Sequence, residues 1–222
     1  MGVLSTSGSS APATLAGADA RAESLPRPRR RGLVREYAEI IIVSVTLAFF
    51  IRTFFVQAFQ IPSGSMEETL LVGDFLLANK LVYGPKVPLT NWRLPAISKP
   101  KRGDIIVFRA PHQDKDFIKR CVGVGGDTVQ LIDNHLYVNG EEQTERFVTF
   151  KGDPPPFANT APIRVPKGYL FMMGDNRNNS QDSRYWGVLD ENLVKGKAMV
   201  LYWSWDKERL RPRLSRLGDI IH

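Results

Sequence analysis

Cysteine and histidine are scarce in this 222-residue sequence: there is one of the former, Cys121, and three of the latter, His112, His135 and His222. A single thiol excludes an intramolecular disulfide and any Cys-rich metal site, and Cys121 reads as a small buried packing residue. The histidines lack metal-ligand spacing, so neither a metal nor another cofactor is expected. His112 lies in the loop PHQDK and His135 in a hairpin turn, where both read as solvated polar residues and not as catalytic bases. Long apolar runs are also missing. From Ile40 to Ile51 no charge interrupts, yet that is only 12 residues, against about 20 for a spanning helix. The net charge of +7 is concentrated in two clusters, Arg21–Arg35 and Lys207–Arg216. Neither is interleaved with aromatics, which argues against a stacking platform, and no nucleic-acid partner is expected. The second cluster reads as a solvated face or as an attraction to anionic lipid.

What is present divides the chain in three. Residues 1–35 are rich in Ser, Ala, Gly, Pro and Arg without a hydrophobic period and read as a disordered basic tail. Residues 36–58 read as a transmembrane helix, because the apolar run resumes after Arg52 as TFFVQAF if Arg52 snorkels to a headgroup layer. A buried helix or a signal-peptide core competes by length, but no A-x-A-like cleavage site follows. Arg crowds the N-terminal side, whereas neither Lys nor Arg occurs from Thr53 to Asn79. The positive-inside rule therefore places the tail in the cytoplasm and residues 59–222 on the other side of a single-pass inner membrane. That remainder is a succession of short β-rich runs bounded by Gly, Pro, Asn or Asp, such as GDIIVFRA, DFIKRCVGV and GYLFMMGD. The expected fold is mostly β: an antiparallel sheet or barrel-like domain with an N-terminal membrane helix and a loop-rich excursion over about 130–168.

Three islands carry chemistry. In QIPSGSMEETLL, Ser65 and Glu68 match a capping box, so Ser65 reads either as a helix cap or as a nucleophile beside a membrane. A nucleophilic serine needs a base, and a lysine whose pKa is depressed by burial can serve. DFIKRCVGV offers Lys119, which strand alternation puts on one face with Phe117 and Cys121, both poor at solvating an ammonium. Its alternative is a plain basic pair with Arg120 on a half-exposed strand. The third island, GDNRNNSQDSR, is eleven polar or small residues between apolar stretches. Asp182 and Arg184 there can form a bidentate ion pair, and Ser180 can bond a neighbouring amine.

Together FQIPSGSM (59–66), KRGDIIVF (101–108), DFIKRCVGVGGD (116–127) and MMGDNRNNSQDSRYWG (172–187) resemble, in order and spacing, the type I signal peptidases, membrane-bound Ser/Lys proteases that remove signal peptides from exported proteins. The resemblance implies that Ser65 is the nucleophile and Lys119 the general base. It implies an oxyanion hole from the Ser65 N–H and the Ser63 hydroxyl, with Ser180 orienting the lysine. Asp182 and Arg184 would form a supporting salt bridge, with Asp175 and Arg177 in the same box. Phe59, Ile61, Met66 and Ile118 would line shallow pockets for small residues, fitting an A-x-A-like substrate. The implied partners are secretory preproteins and the bilayer, and a monomer is expected. One departure is Glu68, where the family commonly has proline. Two rivals are a self-cleaving, repressor-like Ser/Lys protease, which would be soluble with a DNA-binding domain, and a non-enzymatic membrane-tethered β module. The 40–59 run and the absence of a helix-turn-helix pattern count against the first. The second needs Ser65, Lys119 and the polar island to coincide by accident.

Overall fold

The computed structural model describes residues 33–87, 90, 92–153 and 157–222. The reading of a disordered tail lies outside these residues up to position 32, as does the PPP stretch at 154–156. A first helix, α1, spans Leu33–Phe54. Among the described residues twelve strands follow: β1 Val56–Gln60, β2 Asp74–Asn79, β3 Ile105–Arg109, β4 Asp116–Val124, β5 Thr128–Ile132, β6 His135–Val138, β7 Glu141–Glu142, β8 Ile163–Arg164, β9 Tyr169–Met173, β10 Leu189–Asp190, β11 Val194–Asp206 and β12 Arg211–Pro212. A one-turn helix, α2 (Ser183–Trp186), lies between β9 and β10. The fold is thus mostly β, as the sequence indicated.

The 22 residues of α1 extend about 33 Å, enough for a bilayer's hydrocarbon core of about 30 Å. Its large apolar side chains from Val34 to Ile51 are 44–84% exposed, so it is not a core helix. The helix begins three residues before the expected position 36 and stops at Phe54, and the residues expected to finish it pair as β1 with β2, Val56 opposite Asn79. The Lys80 amine caps the helix end, donating to the Thr53 carbonyl at 2.9 Å and the Arg52 carbonyl at 3.4 Å.

The main sheet runs β1-β2-β11-β3-β4-β9-β10, with β12 on β11, and all its pairings are antiparallel. Successive residues of β3 point to opposite faces: Ile105 and Val107 join one core cluster, Ile106 and Phe108 another. Strand β9 repeats this, with Leu170 and Met172 in the second cluster and Phe171 and Met173 in a third. Both faces are covered, which is why IIVF and LFMM read as unbroken apolar runs. Strand β4 lies between β3 and β9, with Lys119 opposite Ile106. The excursion forms a second antiparallel sheet, β7-β6-β5-β8.

Two cations of the C-terminal cluster are committed inward. Asp74, fully buried at the start of β2, accepts from the Ser204 hydroxyl at 2.6 Å, the Leu71 amide at 2.8 Å and the Arg216 guanidinium at 2.7 Å. Arg213 donates to the Val72 and Trp205 carbonyls. These two arginines are therefore part of the fold and not of a solvated face. Asp74→Ala strands a partly buried guanidinium and a buried hydroxyl. It should lower unfolding free energy by about 3 kcal/mol, read as a lowered denaturation midpoint of the full chain.

Candidate active site

Strand β1 delivers the chain through Ile61 and Pro62 into a single 3₁₀ turn, Gly64–Met66, with extended Ser63 just before it. Ser65 is inside this turn and buried, so it is not the helix cap that the local sequence allowed. Nor does Glu68 close a capping box. Its backbone has φ +73 and its carboxylate takes the Lys151 amine at 2.5 Å. The turn is held from the other side by Asn176, whose amide donates to the Ser65 carbonyl (3.1 Å) and whose Nδ2 donates to the Gly64 carbonyl (3.2 Å).

Lys119 reaches this turn from β4. Its amine is 2.6 Å from the Ser65 hydroxyl oxygen and donates to the Ile118 carbonyl at 3.0 Å. The Phe117 ring centroid is 5.4 Å away. Burial lowers the pKa of this amine to about 8; Asp182 and Asp175 oppose the shift and Arg184 adds to it. At pH 7 roughly a tenth of such amines are neutral, and a neutral amine at this distance can take the serine proton.

The polar island packs behind the pair. Asp182 and Arg184 form a buried bidentate pair, with both bonds at 2.8 Å. Asp182 also accepts from the Gly174 amide (3.1 Å), and Arg184 donates to the Arg177 carbonyl (2.7 Å). Asp175 is held not by Arg177 but by Arg120, through bonds of 2.9 and 2.7 Å, and by the Thr69 hydroxyl at 2.6 Å. Arg177 instead donates to Glu145 at 2.6 Å. Thr149 and Lys151 of the excursion bond the backbone at Asp175 and Arg177 and the Asn176 side chain. The Ser180 hydroxyl is buried without a hydrogen-bond partner among the described residues, and the expected bond to Lys119 is not made.

The sequence model of the family described as signal peptidase, peptidase S26, matches residues 34–203. The chain is 35% identical to signal peptidase I of Pseudomonas aeruginosa, over 89% of this chain and 83% of that protein. It is 36% identical to signal peptidase I of Pseudomonas fluorescens (85% and 80% covered) and 34% identical to that of Aquifex aeolicus (85% and 93%). A solved structure of a signal peptidase I from Enterococcus faecalis is 32% identical, covering 46% of this chain and 98% of its own, with a TM-score of 0.38. The chain belongs to the signal peptidase family, peptidase S26.

In this signal peptidase family member a cleft of about 480 Å³ runs past Ser65 and Lys119, lined also by Ser63, Ile118, Ser180 and Tyr185. Of the four residues expected to bind substrate, Ile118 is in the cleft wall. Phe59 packs half-buried on the same core cluster, and Ile61 and Met66 are buried within that cluster. The +73° φ of Glu68 excludes proline from this position, because proline's φ is fixed near −65°. Sequence reasoning assigned no role to Arg120, Asn176 or Gly174, although the last two lie in the polar island. Only the Lys-Arg doublet in β4 hinted at Arg120. A Cβ on Gly174 would collide with the Ser180 hydroxyl and lie 2.5 Å from the Ser65 carbonyl oxygen, so this position requires glycine. Gly174→Ala should lose about 1–3 kcal/mol of stability and at least about a hundredfold in cleavage rate, compared by thermal melting and a preprotein assay.

Proposed function

We propose that this chain is a membrane-bound serine endopeptidase that removes signal peptides from exported preproteins by a Ser65/Lys119 dyad. The observation that carries the reading is the 2.6 Å contact between the Ser65 hydroxyl and the buried Lys119 amine. Neutral Lys119 takes the Ser65 proton as Oγ attacks the scissile carbonyl carbon. The Ser65 N–H and the Ser63 hydroxyl, which lines the cleft, donate to the resulting oxyanion; one such donor contributes about 3 kcal/mol. Collapse breaks the C–N bond, and the Lys119 ammonium returns its proton to the leaving amine. Lys119, neutral again, then activates the water that hydrolyses the acyl-enzyme. Once Oγ is acylated the amine needs another partner, and we assign that role to the unpaired Ser180 hydroxyl.

Phe59 and Ile118, over Ile61 and Met66, are the apolar surface we assign to small side chains on the acyl side of the cut. Shallow apolar pockets reject larger groups by clash. The apolar helix and the family place the protein at the inner membrane. We assign a single span with the basic N-terminus in the cytoplasm, and a monomer.

Purified full-length Ser65→Ala and Lys119→Ala should each cleave a preprotein at least about 10⁴-fold more slowly than wild type. Lys119→Arg, which stays charged, should be equally inactive. Full activity in any of them removes the dyad from the mechanism. Because the active form is the neutral amine, the wild-type rate should rise with pH through an apparent pKa near 8 and level above it. A profile that rises only near the free-lysine value of about 10.4 contradicts the assignment.

A further inference from the structure

A second concavity, of about 420 Å³, lies at the foot of α1 and shares no residue with the Ser65 cleft. Lys80, Lys86, Arg109 and Lys195 line it, together with Gln57 and Asn192, and no Asp or Glu does. Arg109 pairs with Asp114, and Lys195 with Asp116 at 2.6 Å, both outside the lining, so part of the positive charge is offset. Lys80 and Lys86 have no carboxylate partner among the described residues; the Lys80 amine meets only the carbonyls at the end of α1. Burial, and then the like charges of Lys195 and Arg52, hold its pKa below the usual lysine value. A concave wall of cations, two of them without a carboxylate partner among the described residues, is a receptor for an oxyanion.

Position narrows the choice of oxyanion. The 21-residue candidate span Val34–Phe54 extends about 31 Å, so when α1 crosses a bilayer its last carbonyls meet the headgroup layer. Lys80 touches those carbonyls. Of the C-terminal arginines, Arg213 and Arg216 are not rivals for this role, since both are committed to the Asp74 network. We propose that the groove binds a phosphate group, supplied by an anionic phospholipid headgroup at the end of the span. The Lys80 and Lys86 ammonium groups would contact its oxygens and the Gln57 and Asn192 amides would complete the shell.

The test uses full-length protein purified in a non-ionic detergent, with retention of phosphatidylglycerol and phosphatidylcholine measured by native mass spectrometry. Wild type should retain phosphatidylglycerol about tenfold or more over phosphatidylcholine. Lys80→Gln/Lys86→Gln should lose that preference. Lys86→Gln, which leaves the helix cap intact, should weaken it several-fold, while Lys207→Gln/Arg209→Gln, equal in charge change, should leave it unaltered. Millimolar inorganic phosphate separates the two sources of the ligand: displacement of the lipid assigns the site to phosphate in general, and no displacement assigns it to the lipid headgroup. Equal retention of the two lipids, or groove variants no more effective than the Lys207/Arg209 pair, overturns the proposal. Because the readout is lipid retention and not cleavage, it stands or falls apart from the dyad.

Discussion

The site depends on an amine buried without a carboxylate in contact. Desolvation is the main effect disfavouring the ammonium of Lys119, and a carboxylate brought against it would raise its pKa by about 1–3 units. That would cancel the fall from 10.5 to about 8. Two carboxylates, Asp182 and Asp175, are close enough to act on it. Each is instead held by an arginine, Asp182 by Arg184 and Asp175 by Arg120. Buried ion pairs contribute little net stability compared with apolar packing. Here their consequence is electrostatic: they occupy the oxygens that would otherwise neutralise the effect of burial, and Arg184 adds a like charge.

The same pairs fix geometry. Lys119 is paired with Ile106 of β3, and the next residue, Arg120, is paired also with Met173 of β9, so the Lys119 Cα has little freedom. Ser65 is on a turn, which is intrinsically looser, and its position is set by Asn176 from the polar island. That island is tied in turn to the excursion through Thr149, Lys151 and Glu145. The segment read from the sequence as a loop-rich excursion thus braces the loop that holds the serine.

Much of this was legible because the relevant periods are short. Alternation put Lys119 on the Phe117 face, and the Gly and Asp boundaries marked β3, β4 and β9. The errors came where one local pattern serves two structures. TFFVQAF continues an apolar run whether it finishes a membrane helix or begins a strand, and only the β2 edge decides. Ser65 with Glu68 spells a capping box whether or not a helix follows. The partners of Arg120 and Arg216 are 55 and 142 residues away, at Asp175 and Asp74, beyond any pattern along the chain.

The misplaced end of the helix changes what the anchor can do. Only Phe55 separates α1 from β1, and Lys80 of the loop after β2 is bonded to the helix's last carbonyls. No flexible linker lies between the span and the sheet. Ser65 is eleven residues beyond Phe54, so even fully extended chain keeps it within about 37 Å of the helix end. β1, paired along its length with β2, makes that interval stiff. With Ser65 as the proposed nucleophile and α1 as the proposed span, the serine would meet only bonds a short way from the bilayer, which adds a selection by distance to any selection by pocket shape.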